Sequence, residues 1–307
     1  MRIIKLRLLL VGNIKLPAFG KMFFNLAGIL IVFLIYMTSG ANAQKLDAPY
    51  VSTPKDVVEK MMDMADVGPG DYVIDPGCGD GRIVIAAAKR GAVGHGVDLN
   101  PKRVKEARKN AREAGVSDRV TFVEEDLFET DYSRATVIAM YLLTTMMADL
   151  RPSFMESLEP GTRIVSHDFD MGPWEPDKYK KMGGSDNKIK GWRSGQLLKS
   201  KSNEIFYWVI PSDMEGEWNW KMNGRKYSMV VEQKFQKIDP LILEENDTLS
   251  VKEKLIKGDR ISFKAVNQDD EIHYVFNGHV DEDQIEGKVQ IRSNTSNIIK
   301  NWSATKK

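Results

Sequence analysis

Three glycines stand at alternate positions between two segments of regular pattern. Gly77, Gly79 and Gly81 follow the apolar residues Val73 and Ile74 and precede a helical pattern. Glycine has no Cβ, so a backbone built this way can lie directly against a bound ligand. In dinucleotide enzymes a similar turn places its N–H groups on a pyrophosphate. A strand-to-helix turn with a purely structural role is the alternative interpretation.

The charges beside this turn oppose a phosphate ligand. Asp75 and Asp80 flank the glycines, and the spacing Gly-x-Gly-x-Gly differs from the Gly-x-Gly-x-x-Gly of dinucleotide sites. Carboxylates repel a pyrophosphate and attract a cation. The pattern therefore favours a positively charged nucleoside and disfavours a nicotinamide-dependent oxidoreductase, which stays an alternative function. Cys78 lies inside the turn and is also predicted to contact this ligand.

Further acidic residues stand at the end of the second predicted strand and just after the third. Asp98 lies 21 residues after Gly77, at the interval where an acid binds both ribose hydroxyls in nucleoside sites. After the third strand, Asp126 would accept a hydrogen bond from the adenine amino group while Leu127 packs on the ring. A solvated surface charge is the alternative for each acid. Together the three positions predict a nucleoside site.

Alternating strand and helix patterns place these residues at one edge of a sheet. The predicted strands are residues 72–75, 94–98, 120–123, 136–140 and 163–167, with helical patterns between successive strands. Strands that alternate with crossover helices are typical of a parallel, doubly wound α/β sheet. The strand-like segment 204–210 is predicted to close this sheet as an edge strand.

After Pro211 the pattern becomes entirely β. The predicted strands are residues 217–222, 226–235, 249–255, 260–266, 272–276 and 284–291. The pairs Asn223-Gly224, Gly258-Asp259 and Asn277-Gly278 are interpreted as hairpin turns. The sequence therefore predicts a small antiparallel meander or barrel.

The chain resembles the class I S-adenosylmethionine-dependent methyltransferases in two motifs. These are Asp75-Pro76-Gly77-Cys78-Gly79-Asp80-Gly81-Arg82-Ile83-Val84 and Gly96-Val97-Asp98-Leu99-Asn100-Pro101. Within that class it is similar to the group of the mitochondrial lysine methyltransferase of the ATP synthase c subunit and its bacterial relatives. The upstream Tyr50-Val51-Ser52-Thr53-Pro54 is similar to the segment that lies against the methionine end of the cofactor in that group. The resemblance covers roughly residues 48–176.

This resemblance implies a Rossmann-like fold, S-adenosylmethionine as the cofactor, and Tyr50, Thr53 and Asn100 among its contacts. Four segments are then expected along the chain. They are a signal peptide or membrane anchor (1–44), a class I methyltransferase domain (45–211), an antiparallel β domain (212–292) and a disordered polar tail (293–307).

A methyl acceptor has to enter where the parallel strands end. Tyr141 follows the fourth strand, and His167 and Asp168 come at the end of the fifth. Tyr141 would orient an amine, and His167 or Asp168 would take its proton. A core aromatic and a structural histidine are the alternatives. The resemblance implies a protein lysine as acceptor, and a small-molecule acceptor stays open because segment 140–144 differs from the pattern expected of the eukaryotic enzymes.

The first 44 residues carry a targeting pattern. Basic residues precede the apolar run 22–37, and Ala41 and Ala43 supply the small residues of a signal-peptidase site. The uninterrupted apolar run favours export or membrane anchoring over a mitochondrial presequence. The cofactor is made in the cytosol, so an exported domain would lack it. A non-catalytic binding protein built on a methyltransferase scaffold is therefore the remaining alternative function.

Composition excludes other classes. The net charge of +1 provides no overall field that would attract a nucleic-acid partner. The Asn-Pro-Pro-Tyr motif, the signature of enzymes that methylate amino groups of nucleic acids, is absent. The single cysteine and the spacing of His95, His273 and His279 predict no metal site. Residues 177–202 are strongly basic, and they are interpreted either as a solvated mobile loop or as a contact for an acidic partner or anionic lipid.

Overall fold

The computed structural model describes residues 50–183, 188–189, 198–199, 203–267, 269 and 271–307. The predicted signal or anchor segment, 1–44, lies outside the described residues and stays a prediction. Within the described ranges, no helix is long and apolar enough to cross a membrane.

The first part of the described chain is an α/β sheet with helices packed on it. The helices are α1 (Lys55–Met64), α2 (Arg82–Lys89), α3 (Pro101–Glu113) and α4 (Thr144–Ser157). The strands are β1 (Tyr72–Pro76), β2 (Val93–Asp98), β3 (Val120–Glu124), β4 (Val137–Met140), β5 (Arg163–His167), β6 (Lys178–Lys181) and β9 (Glu204–Val209), with a separate pair β7 (Lys188–Ile189) and β8 (Leu198–Lys199).

The sheet has the strand order β3-β2-β1-β4-β5-β9-β6. Strands β1 to β5 run parallel, and β9 is antiparallel to both of its neighbours. The doubly wound α/β fold is thereby confirmed. Because β1 pairs in parallel with both β2 and β4, the loops that follow these three strands lie at the same edge of the sheet, where the predicted site residues stand.

Helix α3 shows how the sequence sets an element at this edge. Asn100 caps it, because its side chain accepts a hydrogen bond from the Lys102 N–H at 3.0 Å, and Pro101 occupies the first turn. Val104, Ala107 and Ala111 form its buried face. The helix therefore begins directly after β2 and holds the residues around Asp98 in place.

The helix predicted between β3 and β4 is wrong. Residues 125–136 form turns instead. Asp126 Oδ1 accepts the Phe128 N–H at 2.9 Å, and the Tyr132 hydroxyl donates to the Leu127 carbonyl at 2.6 Å. Side-chain bonds of this kind satisfy the backbone locally and compete with helix formation.

The edge of the sheet also differs from the prediction. Segment 204–210 was expected at the edge, but β9 lies between β5 and β6. The outer strand β6 comes from the segment interpreted as a basic loop, and its four residues, three of them lysines, are exposed. Lysines on an edge strand disfavour pairing with another chain, which gives this part of the basic segment a structural role. Most of the remaining basic segment lies outside the described residues.

The second part is a closed antiparallel barrel. Its strands are β10 (Gly216–Met222), β11 (Arg225–Lys234), β12 (Lys237–Glu244), β13 (Asp247–Lys257), β14 (Arg260–Val266), β15 (His273–Asp281), β16 (Gln284–Arg292) and β17 (Asn297–Lys306). The predicted antiparallel β fold is confirmed, although β12 and β17 were missed.

The polar tail predicted for 293–307 is wrong, because β17 closes the barrel. Trp302 and Ala304 of this strand are buried, although most of its other residues are exposed. The sparse inward positions explain why the sequence resembled a disordered tail. The hairpin predicted at Asn277-Gly278 is also wrong. Both residues lie inside β15, where Gly278 pairs with Gly287 and a Cβ on Gly287 would collide with the Asn277 carbonyl.

The barrel packs on the α/β part through two of its connections. The Trp174 indole stacks on Phe235 with 5.5 Å between ring centroids and donates to Gln236 Oε1 at 2.7 Å. Ser212 N–H donates to the Gly258 carbonyl at 2.9 Å. The β11–β12 and β13–β14 connections therefore face the sheet, and the opposite end of the barrel points away from it.

We expect Trp302→Ala to lower the free energy of unfolding by about 3–5 kcal/mol, because it removes a large buried ring. Ile299→Ala is the matched control, since Ile299 lies on the same strand and is 66% exposed; its effect should stay within about 0.5 kcal/mol. Urea unfolding measures both. Equal, small effects would restore the disordered-tail interpretation.

Candidate active site

The glycine turn between β1 and α2 is fixed to the end of β2. Gly77, Gly79 and Gly81 have φ values of +75°, +54° and +78°, which residues with a side chain rarely adopt. The N–H groups of Gly77 and Cys78 donate to the Val97 carbonyl at 2.8 and 2.9 Å. The turn is therefore held rigidly where a ligand would meet it.

Close packing explains two of the glycines directly. A Cβ on Gly81 would lie 2.7 Å from Phe122 Cζ and 2.9 Å from the Ala107 methyl group, and a Cβ on Gly79 would collide with the Tyr50 ring. Gly81 therefore allows α3 and β3 to pack beneath the turn. The side chain that approaches Gly79 in the described chain belongs to Tyr50.

Asp98, the predicted ribose acid, bridges two loops. Its Oδ2 accepts the Gly79 N–H at 2.9 Å, and its Oδ1 accepts the Asn100 N–H at 2.8 Å. Each carboxylate oxygen keeps a further lone pair for a second donor. The residue thus fixes the turn and still has acceptor capacity for two hydroxyl groups.

Asp75 is a buried carboxylate that lacks a counterion. It is 2% exposed, and we find no hydrogen-bond partner for its side chain in the described part of the chain. Burial, followed by the charges of Asp98 and Asp80, raises the pKa of Asp75 well above its usual value. A cation beside it would reverse this shift. The site therefore favours a positively charged ligand.

Asp80 contributes less to this field than the sequence suggested. Arg82 Nε donates to Asp80 Oδ1 at 2.9 Å and to Oδ2 at 3.1 Å, and Arg82 Nη1 donates to the Thr53 carbonyl at 2.7 Å. Burial acts to raise the pKa of Asp80, but the hydrogen bonds and charge of Arg82 lower it overall. Among the described residues, Asp75 and Asp98 are therefore the acids of the site that form no ion pair with a basic side chain. Arg82 is a residue that sequence reasoning missed.

The segment before α1 covers the glycine turn. The Arg103 guanidinium lies 3.7 Å from the centre of the Tyr50 ring, a cation–π contact. Thr53 is 2% exposed, and its hydroxyl lies 3.3 Å from His167 Nδ1. The segment therefore connects the turn with the end of β5. The role of Arg103 was not foreseen.

The remaining predicted cofactor contacts divide into two kinds. Cys78 and Leu127 are buried, and Leu127 packs with Ile74 and Val97. Burial and the neighbouring carboxylates raise the pKa of the Cys78 thiol, so this side chain is inert as a nucleophile. Asp126 uses one oxygen for its own turn and keeps the other, while Asn100 serves as the cap of α3.

The three predicted catalytic residues lie together. The Tyr141 and His167 rings have centroids 4.2 Å apart, and His167 Nε2 is 3.4 Å from Asp168 Oδ2. Asp168 has a left-handed φ of +60° and is held by β9: its Oδ1 accepts the Glu204 N–H at 2.9 Å, and its own N–H donates to the Glu204 carbonyl at 2.7 Å. The sheet therefore assembles a site from the ends of β4, β5 and β9.

Burial sets the protonation of this cluster. Burial lowers the pKa of His167, although the charge of Asp168 opposes the shift, so the imidazole is neutral at pH 7. Burial and the charge of Asp168 raise the pKa of Tyr141 to about 12. At neutral pH Tyr141 is therefore a phenol and His167 a neutral imidazole.

Asn203 joins the cluster without any sequence signal. It is 4% exposed, and its Nδ2 has no hydrogen-bond partner in the part of the chain that the structure describes. It also interacts with the His167 ring. No motif surrounds it, because only the antiparallel insertion of β9 brings it beside β5. Among the described residues, no group of acids, histidines and cysteine could hold a metal ion.

Comparison with known proteins identifies the family. The ANTKMT methyltransferase domain matches residues 75–178. A protein-lysine N-methyltransferase of Saccharolobus islandicus (strain REY15A) is 45% identical over 138 residues, which are 44% of this chain and 84% of that protein. The chain belongs to this methyltransferase family. The enzyme is S-adenosylmethionine-dependent, which confirms the predicted cofactor and reaction class.

Two further proteins show how far this similarity reaches. The ATP synthase c-subunit lysine N-methyltransferase of Xenopus laevis is 34% identical over 134 residues, 44% of this chain and 59% of that protein. The solved structure of an RNA methyltransferase from Salinibacter ruber, in complex with S-adenosyl-L-homocysteine, is 45% identical in sequence. The match covers 53% of this chain and 96% of that chain, with a TM-score of 0.47. The matched part of this chain spans less than two thirds of the length of the Xenopus protein.

The site geometry suits the cofactor of this family. S-Adenosylmethionine carries a positive sulfonium and a positive amino group, and the methyltransferase offers the buried, uncompensated Asp75 beside Asp98. The lone pairs left on Asp98 match the two ribose hydroxyls. The alternative oxidoreductase would place a pyrophosphate against these carboxylates, which repel it.

We expect Asp98→Ala to weaken the binding of S-adenosylhomocysteine by about 1.5–3 kcal/mol, since charged hydrogen bonds are lost. Isothermal titration measures the dissociation constant. Asp118→Ala is the control, because Asp118 is exposed on a loop before β3. An unchanged affinity of the Asp98 variant would remove the ribose assignment.

Proposed function

We propose that the enzyme transfers the methyl group of S-adenosylmethionine to the side-chain amine of a protein lysine. The observation that carries this proposal is the cluster of Tyr141, His167 and Asp168 at the strand ends. Its polar groups suit a cation that must lose a proton. The names of the Saccharolobus and Xenopus relatives support a lysine acceptor.

The acceptor amine arrives protonated, because a lysine ammonium has a pKa near 10.4. The carboxylate of Asp168 attracts this ammonium, and the faces of Tyr141 and Phe169, whose ring centroids are 5.8 Å apart, stabilise it by cation–π contact. The bound cofactor supplies an electrophilic methyl carbon. The chain's task is to align the amine and to remove its proton.

Proton removal falls to the buried groups of the cluster. Asp168 or the neutral His167 accepts the proton from the ammonium, and the Tyr141 oxygen accepts a hydrogen bond from the amine that remains. Thr53 positions the imidazole through its hydroxyl, 3.3 Å from His167 Nδ1. The same segment covers the glycine turn, so the acceptor site and the cofactor site share one positioning element.

The charge of the chain favours a protein acceptor over a nucleic acid. Its net charge is +1, whereas phosphate-backbone binding relies on a basic surface. Incubation of the purified enzyme with a cell extract and methyl-labelled cofactor tests this choice, with an incubation that lacks the enzyme as the control. The label should be released by protease and recovered as methyl-lysine; label released by nuclease would contradict the proposal.

Asp168→Asn should lower kcat by about a hundredfold, within the range of a lost acid–base group, while the dissociation constant for S-adenosylhomocysteine stays unchanged. Asparagine keeps the acceptor oxygen that binds the Glu204 N–H. Asp170→Asn is the matched control, since Asp170 is exposed and serves only its own turn. Equal rates in the two variants would exclude Asp168 from the reaction.

The pH profile of kcat/KM provides a separate prediction. Protonation of His167 would cancel the charge of Asp168, so activity should fall on the acid side. Because burial lowers the pKa of His167, the acid midpoint should lie below about 6.5, the ordinary value for histidine. His167→Gln should remove this acid limb. An acid midpoint above about 7, which is higher than the ordinary histidine value, would contradict the assignment to His167. An acid limb that survives in the His167→Gln variant would contradict it as well.

A further inference from the structure

One hairpin turn of the barrel contains a bulky residue in a left-handed backbone conformation. Strands β11 and β12 pair up to Lys234 and Lys237, so Phe235 and Gln236 form a two-residue turn. Phe235 has a φ of +55°. The favoured two-residue turns have a positive φ at their first position, which asparagine, aspartate or glycine usually occupies. An aromatic residue is strained there, and strain that persists points to a role for the side chain.

The Phe235 side chain contacts the α/β part. Its ring stacks on the Trp174 indole with 5.5 Å between centroids and an interplanar angle of 16°. The Arg151 guanidinium, from α4, lies 5.5 Å from the centre of the same ring. Trp174 is fully buried. Aromatic stacking and cation–π contact therefore offset the strain of the turn.

The neighbouring Gln236 adds hydrogen bonds to the same segment. Its Oε1 accepts the Trp174 Nε1–H at 2.7 Å, and its Nε2 donates to the Glu175 carbonyl. Lys237 Nζ also forms an ion pair with Glu175 Oε2 at 2.7 Å. Because one amide both accepts and donates, it fixes the direction of the segment as well as its position.

The segment that the turn holds begins at the proposed acceptor site. Residues 169–175 directly follow Asp168. The Phe169 ring stacks on Tyr141 with 5.8 Å between centroids. The Phe169 carbonyl accepts the Ser166 hydroxyl at 2.7 Å. The aromatic wall of the site is therefore the first residue of this segment.

Close packing connects the two ends of the segment. Met171 and Trp174 are fully buried members of one apolar cluster, and the rings of Phe169 and Phe235 both pack against that cluster. Trp208 of β9 holds the Trp174 carbonyl through its indole N–H at 2.9 Å. Because close-packed interiors transmit strain, a shift of Trp174 moves the wall of the acceptor site as well.

We propose that the β11–β12 turn is a positioning element of the acceptor site, in which Phe235 and Gln236 hold Trp174 and thereby orient Phe169. This role rests on the proposed function, in which Phe169 stabilises the acceptor ammonium. The matched family segment, 75–178, contains Phe169 and Trp174 but not the turn. The barrel thus supports the family segment at the point where alignment matters, since a misplacement of about 1 Å can slow a reaction about a hundredfold.

Phe235→Asn in the full-length enzyme tests the proposal, because asparagine suits the left-handed turn and removes the ring. The acceptor is a cell extract, and its apparent KM is the extract protein concentration that gives the half-maximal rate of methyl-lysine formation. This KM should rise about fivefold, the factor that a lost cation–π contact of about 1 kcal/mol provides. The KM for S-adenosylmethionine should stay unchanged. Partial unfolding would instead lower the maximal rate and leave both KM values as they are.

Glu282→Asn is the matched control. Glu282 has a φ of +48° in the two-residue turn between β15 and β16, and it is exposed. The same substitution is therefore made in the same backbone conformation, and the acceptor KM should not change. Phe235→Tyr keeps the ring and should restore the wild-type KM. Titration with S-adenosylhomocysteine should give the wild-type dissociation constant in every variant.

Hydrogen exchange followed by mass spectrometry gives a readout that does not depend on the acceptor. The backbone amides of residues 169–175 should exchange faster in Phe235→Asn and Gln236→Ala than in the wild type or Glu282→Asn, because the segment opens locally. Unchanged exchange in both variants would overturn the proposal.

The kinetic outcomes separate this proposal from the proposed function. An unchanged acceptor KM in Phe235→Asn, or the same rise in Glu282→Asn, would overturn the role of the turn and leave the lysine acceptor intact. Label recovered from wild-type incubations in a residue other than lysine would refute the lysine acceptor, and the same KM comparison would still decide the role of the turn. Absence of label from the wild type would overturn both.

Discussion

The carboxylate of Asp98 holds the predicted cofactor site of the enzyme together. One oxygen accepts the Gly79 N–H and the other accepts the Asn100 N–H, so the glycine turn, the end of β2 and the start of α3 are joined at one group. Because the turn runs through three positive φ angles, it has little intrinsic preference for this path, and the carboxylate fixes it. A second effect follows: the same charge adds to the burial of Asp75 and raises the pKa of that residue. The structural clamp thereby also sets the electrostatic character of the site.

This arrangement explains how a glycine-rich turn discriminates between cofactors. A turn with free N–H groups attracts a pyrophosphate, whereas here three N–H groups of the turn are bonded to the Val97 carbonyl and to Asp98. The donors are used internally, and the charge left over is negative. Arg82 increases the contrast, because it neutralises Asp80 and leaves the charge on the two acids nearest the strand ends. The sign of the site is therefore decided by which carboxylates lack a cationic side chain as a partner among the described residues.

The alternation of strand and helix patterns was sufficient to predict the sheet. The spacing of the acids and glycines predicted the turn and a positively charged nucleoside, and the family resemblance named the cofactor. Pairings between distant segments could not be predicted in this way. Arg82 reaches Thr53, and Asn203 lies beside His167, only because the fold joins them. In the barrel, the few buried residues of β17 disguised the closing strand. Local pattern thus indicated which elements form, but not which of their side chains meet.

The proposed acceptor site has a different origin from the cofactor motifs. The matched family segment ends at residue 178, yet Asp168 is held in its left-handed conformation by Glu204, and the buried amide of Asn203 stands next to His167. Glu204 begins β9 and Asn203 directly precedes it, and this strand enters the sheet antiparallel between β5 and the lysine-bearing β6. A change at Asn203 or Glu204 can therefore reshape the proposed acceptor site without disturbing Asp98 or the glycine turn. This separation gives a physical reason why one set of cofactor motifs can serve enzymes that methylate different acceptors.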